Sequence, residues 1–399
     1  MFQGGIESNS TRGLIMADAM NIIGFDAMVL GNHELDWGES ILQAAINELH
    51  CPVISANTFH IDSGSRPDYL EPFVVLDKGD LRIGIIGGAE KDMGRHVTAS
   101  YVKNLSFPDP VSYVRTYSIE LRLSYNCDLI FAAFHDEGYA QKTENLPTKF
   151  NYLTQIDPST NLKYVDAMFF AHDHYTKKGT YNDVPFIESG CNGRYVGIMS
   201  LSLSPNGYSY VVGDSNIVNR NAFDYCLNEN DEIAALPNKY VEQIGDPDEV
   251  IYTFKKSYSS EEFTGIMCHA MYWYVNEHIE DFGGKRVYLA SHNTGGIRAS
   301  VEAGDFTRRK LFKVNPFENE LCIQVCDQTQ INRTINYDYY ATYVENNIVY
   351  TSGYTKAVSI SFISEASNAG RYQSGYVKYP YIARDALVEF LLANVDEEL

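Results

Sequence analysis

Val29-Leu30-Gly31-Asn32-His33-Glu34-Leu35-Asp36-Trp37-Gly38 is the stretch on which the reading of this chain turns. The apolar run Asp26-Ala27-Met28-Val29-Leu30 ends in a glycine and then delivers an amide, an imidazole and two carboxylates. That is how a strand hands polar groups to a site at its carboxyl end. Asn32 offers a carbonyl oxygen to a hard or borderline cation. His33 can give a proton or a hydrogen bond to an anion if Asp36 steadies its other ring nitrogen. The competing reading is an ordinary polar strand-to-loop turn, because a short motif alone is only a hypothesis.

Two later stretches repeat the pattern. Asp128-Leu129-Ile130-Phe131-Ala132-Ala133-Phe134 ends in His135, and Asp166-Ala167-Met168-Phe169-Phe170-Ala171 ends in His172-Asp173-His174. Four of the ten histidines therefore stand at three strand ends. In an extended chain side chains at i and i+2 share a face, so His172 and His174 are expected to reach into one small volume. Imidazoles with an Asn oxygen suit zinc, manganese or iron.

With these residues in view the chain resembles the calcineurin-like metallophosphoesterases, specifically the 5'-nucleotidase and UDP-sugar hydrolase branch. Gly31-Asn32-His33-Glu34-Leu35-Asp36, His135 with Gly138, Ala171-His172-Asp173-His174, and Glu188-Ser189-Gly190 through Gly193-Arg194-Tyr195-Val196-Gly197 look like its successive blocks, in order. Asn293-Thr294-Gly295-Gly296-Ile297-Arg298 and Val314-Asn315-Pro316-Phe317-Glu318-Asn319 resemble the nucleotide-binding carboxyl-terminal domain of the same branch.

The resemblance implies divalent metal ions (zinc, manganese or cobalt), normally two, with a single ion as the alternative here. Asn32, His135 and His172 would ligate one and His174 the other. His33, oriented by Asp36, would stabilise the transferring phosphoryl group or protonate the leaving alkoxide. Asn293, Gly296 and Arg298 would bind substrate, and Phe317 would stack on the nucleobase. Three departures stand out. Asp136-Glu137 separates His135 from its glycine where the family has one residue, and the family's Gly-Gly-Asp-Gly block is missing from residues 336 to 376. The family's first two blocks, an Asp-x-His and a Gly-Asp that bridges both metals, normally precede the helix near Thr11. Met1-Phe2-Gln3-Gly4 resembles the residues immediately after that Gly-Asp. The expectation is a chain that begins downstream of its bridging ligand and is, in this form, nearly inactive and poorly soluble.

Composition bounds the partners. The chain has 399 residues, 45% of them hydrophobic, enough for a large core and two domains. A formal charge of -21 with no Lys/Arg cluster argues against nucleic-acid polymers and anionic membrane. A small phosphate ester or nucleotide is still compatible, since a metal and one or two arginines make a local positive site. Seven scattered cysteines show no Cys-x-x-Cys pair and indicate neither a zinc knuckle nor a disulfide scaffold. Sequons stand at Asn9, Asn104 and Asn332. The sequence shows no signal peptide or membrane-spanning run, although members of the family are often secreted, periplasmic or on the cell surface. Compartment and oligomeric state are not legible.

The fold class expected is α/β, with strands alternating with helices and mainly parallel sheets. By resemblance this is a metallophosphoesterase β-sandwich flanked by helices over 1–214, then a linker over the acidic stretch 215–252. A smaller α+β nucleotide-binding domain would follow over 253–399. Helices are expected from Thr11 to Gly24, over 40–49 and over 111–124. Phe263, Ile266, Met267, Ala270, Met271, Tyr274 and Val275 share one helical face, a stripe read as core. The leading functional reading is metal-dependent hydrolysis of a phosphomonoester or nucleotide. The competing one is a nucleotide-binding or surface-interaction protein that keeps the fold and has lost the reaction.

Overall fold

The computed structural model describes residues 2–91, 93–136, 148–206, 209–225, 228–338, 340–345, 354–365 and 375–393. The chain divides into two compact units. One comprises Met16–His96 and Tyr101–Leu236, the other Met1–Ile15, Val97–Ser100 and Pro237–Leu399. This differs from the expected 1–214, 215–252 and 253–399 in giving the start of the chain to the carboxyl-terminal unit. The reason is a set of contacts across some three hundred residues of sequence. Ile6 is fully buried, the Asn9 amide donates to the Pro316 carbonyl, and Arg12 pairs with Glu318 at 2.6 Å. The Asn9 sequon is thus a packing group, 1% exposed, and closed to a glycan. The polar stretch read as linker carries helices Ala222–Tyr225, Asp231–Lys239 and Val241–Ile244. Asp231–Lys239 buries no side chain, so its acidic residues lie on a solvated helix.

In the first unit six strands form one sheet. They are β1 (Phe73–Lys78), β2 (Leu81–Ala89), β3 (Leu129–His135), β4 (Ala167–Ala171), β5 (Thr176–Tyr181) and β6 (Val184–Ser189), in the spatial order β5-β6-β4-β3-β2-β1. The central four are parallel and the two edges antiparallel. Helix Pro110–Ser124 makes the crossover from β2 to β3. Asp109 caps it by accepting from the Val111 N–H at 2.9 Å, and Pro110 occupies the first turn, where no N–H is needed. Register fixes where the strands stop: Ala89, His135 and Ala171 pair in one row, so β2, β3 and β4 end level with one another.

The pair Met28–Val29 and Val53–Ile54 lies against β2. Gly87 permits that approach. The Ala56 N–H donates to the Gly87 carbonyl at 2.8 Å, and a Cβ at Gly87 would stand 2.4 Å from the Ile54 oxygen. The strand into Asn32 is thereby brought to the carboxyl ends of β2 and β3. Tyr195–Asn206 and Ser209–Asn221 add a long antiparallel hairpin.

The second unit holds a five-stranded sheet of β7 (Leu289–Asn293), β8 (Glu320–Asp327), β9 (Tyr340–Val344), β10 (Tyr354–Ile360) and β11 (Val377–Ile382), in the order β9-β7-β10-β8-β11. Helix Ser260–Glu277 starts at a capping box, Ser259 accepting from the Glu262 N–H and Glu262 from the Ser259 N–H. It buries Phe263, Met267, Ala270, Met271 and Val275 completely, with Ile266 and Tyr274 at the margin of the same core, as the spacing predicts. All six described cysteines are free thiols.

His292, on β7, is fully buried, and that burial pushes its imidazole down to about 4. Its folded value lies below the unfolded one, so the unfolded chain binds the extra proton. Stability is therefore full above about pH 6.5 and is lost as pH falls towards 4, by up to about 3 kcal/mol from this residue. We expect denaturant midpoints to fall over that window and His292→Gln to flatten the fall. An unchanged slope in the variant would assign the acid sensitivity elsewhere.

Candidate metal centre

Asn32 opens a 3-10 turn, Asn32–Leu35, at the end of its strand. The turn is closed by Glu34, whose Oε2 accepts from the Gly31 N–H at 2.9 Å. A Cβ at Gly31 would stand 2.6 Å from that oxygen and 3.0 Å from the His135 ring, so a side chain there would crowd the place where the turn meets β3. The Asn32 amide nitrogen donates to the His96 carbonyl at 3.3 Å, which aims its oxygen the other way. Asn32 Oδ1 then lies 2.7 Å from His135 Nε2 and 3.3 Å from His172 Nδ1, and the two ring nitrogens are 3.1 Å apart. Donors on one tetrahedral zinc, at bond lengths near 2.0–2.1 Å, stand about 3.3 Å from each other. An amide oxygen and two imidazole nitrogens at these separations fit a divalent cation. Burial pushes His135 down to about 3, which keeps its ring neutral and its lone pair available.

His33 follows Asn32 on the same turn, and its Nδ1 lies 2.8 Å from Asp36 Oδ2. Burial raises the Asp36 carboxyl above its usual value, against the opposing pull of His33. The contact fixes the ring orientation and leaves Nε2 as the second ring nitrogen.

The extended-chain argument linking His172 to His174 does not hold. β4 ends at Ala171, and His172 (φ 108°) and His174 (φ 65°) both have positive φ, so strand alternation does not relate them. His172 is held by its contacts with Asn32 and His135, while His174 is exposed. Gly138, quoted with His135, lies outside the described residues. Beside this turn the Glu188 carboxyl is pushed up to about 8 by burial and by its hydrogen bond with Asp173. Lys177 pairs with Asp173 and lies 3.6 Å from Glu188.

Two residues at the same end escaped the sequence reading. Glu90 follows β2 as His172 follows β4, and His96 follows the 3-10 turn Met93–Arg95. Glu90 Oε1 is 2.6 Å from His96 Nδ1, and Glu90 Oε2 is 3.6 Å from His172 Nε2. The run Leu81 to Gly88 is legible as a strand, but a lone Glu beyond it carries no motif. Only the row Ala89–His135–Ala171 shows that Glu90 ends level with the histidines.

In the second unit Arg298 and Phe317 are brought together. The Arg298 N–H donates to the Val314 carbonyl at 2.8 Å, and its guanidinium lies over the Phe317 ring, 5.9 Å from the centroid. Asn293 ends β7, and its side-chain oxygen is buried without a hydrogen-bond partner. Gly296 is buried, and a Cβ there would stand 2.5 Å from His292 Cε1. Here the glycine makes room for a neighbouring ring.

No protein-family model matches the chain. It is 22% identical over 383 residues to Protein UshA of Yersinia enterocolitica, covering 87% of this chain and 67% of that protein. It is 23% identical over 340 residues to a 5'-nucleotidase of Vibrio cholerae, covering 75% of this chain but only 59% of that protein. Among solved structures, the 5'-nucleotidase precursor of Thermus thermophilus superposes with a TM-score of 0.79 at 18% identity, over 98% of this chain and 85% of that one.

Parallel strands whose level ends carry Asn32, His135 and His172, beside a His–Asp pair, define the first unit as a calcineurin-like metallophosphoesterase fold. Taken with the second unit, the two-unit chain has the fold of solved 5'-nucleotidases and is similar in sequence to UshA and 5'-nucleotidase proteins, spanning about 60 to 67% of their length. No helix among the described residues is long and apolar enough to cross a membrane.

Proposed function

We propose that this protein hydrolyses phosphate esters, with nucleoside 5'-monophosphates as its substrate class, at a centre built on Asn32, His135 and His172. The observation that carries this reading is the convergence of Asn32 Oδ1, His135 Nε2 and His172 Nδ1 within 3.3 Å of one another, with the His33–Asp36 pair on the turn that begins at Asn32. Zinc, manganese and cobalt all suit such a donor set. A bound cation supplies Lewis-acid charge at the phosphoryl group and an acidified water as nucleophile. His174 is proposed as a further donor.

The chain's own groups do the rest. Asn32 is held with its oxygen inward by the His96 carbonyl, and neutral His135 offers a lone pair at any ordinary pH. His33, steadied at Nδ1 by Asp36, presents its other nitrogen to a phosphoryl oxygen or to the leaving alkoxide. In the second unit, proposed as the substrate-binding domain over 253–399, Asn293, Arg298 and Phe317 form a nucleotide site. Arg298 can fork hydrogen bonds onto a phosphate, and the Phe317 ring can stack on a base.

The deciding experiment is phosphate release from nucleoside monophosphates, UDP-glucose and 2',3'-cyclic nucleotides with manganese, cobalt or zinc added. Release that depends on added metal is the expected result. Nucleotide binding without release under every metal would instead favour the fold-retaining binding protein. For the nucleotide site, Phe317→Ala should weaken nucleoside monophosphate binding by about 1–3 kcal/mol and leave inorganic phosphate binding little changed. Arg298→Ala should weaken both. A lower melting temperature with unchanged affinity would make Phe317 a packing residue.

A further inference from the structure

We infer that the loop after β2 builds a second divalent-cation site, distinct from the donors facing Asn32, from the Glu90 carboxylate, His96 Nδ1 and His172 Nε2. The ligand atoms of these three residues all lie within 4.8 Å of one another, the closest pair at 2.6 Å and the Glu90–His172 pair at 3.6 Å. Those values bracket the roughly 3.3 Å between donors on one tetrahedral zinc. Two imidazoles and one carboxylate form a set that zinc accepts in catalytic sites, where it leaves a fourth position open.

Glu90 supplies an independent sign. It is 6% exposed, and its Oε2, the oxygen on the His172 side, is buried without a hydrogen-bond partner. A carboxylate out of water with one oxygen unsatisfied is costly, and a cation between Glu90 and the two rings would satisfy it. An ion pair of Glu90 with His96 alone leaves that oxygen unanswered.

His172 is the hinge of the arrangement. Its Nδ1 faces Asn32 Oδ1 and His135 Nε2, and its Nε2 faces Glu90, so the two nitrogens of one ring address different donor groups. With the cation on Nε2 alone, Nδ1 keeps its proton and donates to Asn32 Oδ1, the usual second contact of a metal-bound imidazole. With a cation on each side the ring gives up that proton to solvent and bridges them. Cations on opposite sides of an imidazole are farther apart than the about 3.5–4 Å of binuclear centres that clamp one phosphoryl group. The Glu90 site therefore does not stand in for the second metal of such a pair. It fixes the 90–96 loop, whose His96 carbonyl in turn aims Asn32.

The test is metal titration of the full chain after chelation, with zinc stoichiometry by emission spectroscopy and cobalt followed by its visible bands. Glu90→Gln keeps size and hydrogen bonding but removes the charge, and His96→Gln changes a ring that is about a third exposed. Each is expected to lose one equivalent, or to weaken one binding step at least about a hundredfold, with unchanged near-UV dichroism. Asn32→Ala and His135→Ala are expected to keep that equivalent. Unchanged stoichiometry and affinity in both Glu90→Gln and His96→Gln would overturn the site while leaving the phosphatase reading intact. Loss of the same single equivalent from both pairs of variants would merge the donors into one site and overturn a separate one. Retention of all metal by Asn32→Ala and His135→Ala, with loss in the other pair, would uphold this site and count against the centre proposed above.

Discussion

His172→Ala is expected to strip the protein of its divalent cations and to lower kcat/KM for a nucleoside monophosphate by at least about a thousandfold. The size follows from the several kcal/mol a Lewis-acid cation contributes to a phosphoryl transition state, at about 1.36 kcal/mol per factor of ten. His172 is the residue to remove because its ring faces both groups of donors: Asn32 and His135 from Nδ1, Glu90 from Nε2. The change falls just past the end of β4, so the sheet register that levels the strand ends does not depend on it. Emission spectroscopy of the dialysed variant beside the parent reads the metal directly, and far-UV dichroism checks the fold. Equal metal content in the two proteins would take His172 out of the site.

How far this centre could be seen in the sequence depends on which physical rule placed each residue. Asn32, His33 and Asp36 lie on one turn, so local chain geometry holds them together and a motif suffices. His135 and His172 stand at the ends of different strands. Each was legible because an apolar run ended in an imidazole, and the parallel register of the central strands levels those ends. Glu90 obeys the same register yet was missed, because a single glutamate after an apolar run is too common to signal anything. His96 sits in a loop, where no periodicity reports position.

The helices were legible for the same local reasons. Apolar spacing over 111–124 and along the Phe263–Val275 stripe carried that reading, whereas the caps at Asp109 and at Ser259 with Glu262, which work through neighbouring N–H groups, were not read. The unit boundary was not, because the placement of residues 1–15 rests on partners such as Pro316 and Glu318, far along the chain. The glycine of Gly295-Gly296 shows the limit from the other side. A sequence reveals that a side chain is absent but not which neighbour needs the space, and at Gly296 that neighbour is His292.

His33→Ala is expected to leave the metal content unchanged and to lower kcat for a nucleoside monophosphate by about 10²- to 10⁴-fold, the usual range for a positioned proton donor. His33 contacts Asp36 Oδ2 through Nδ1 at 2.8 Å, so in the proposed reading its other nitrogen meets substrate and Asp36 acts through it. Asp36→Asn should therefore cost less than His33→Ala, and in the double variant the two losses should not add, because Asp36 has nothing to orient once the ring is gone. The leaving group separates the two roles open to His33. A nucleoside alkoxide needs a proton as it departs, whereas p-nitrophenolate does not. If His33 protonates the leaving group, His33→Ala should cut nucleotide hydrolysis far more than p-nitrophenyl phosphate hydrolysis. Equal losses on both substrates would assign the ring to the phosphoryl oxygens, where its hydrogen bond helps whatever departs. Loss of metal from His33→Ala would contradict both roles and place this imidazole among the ligands.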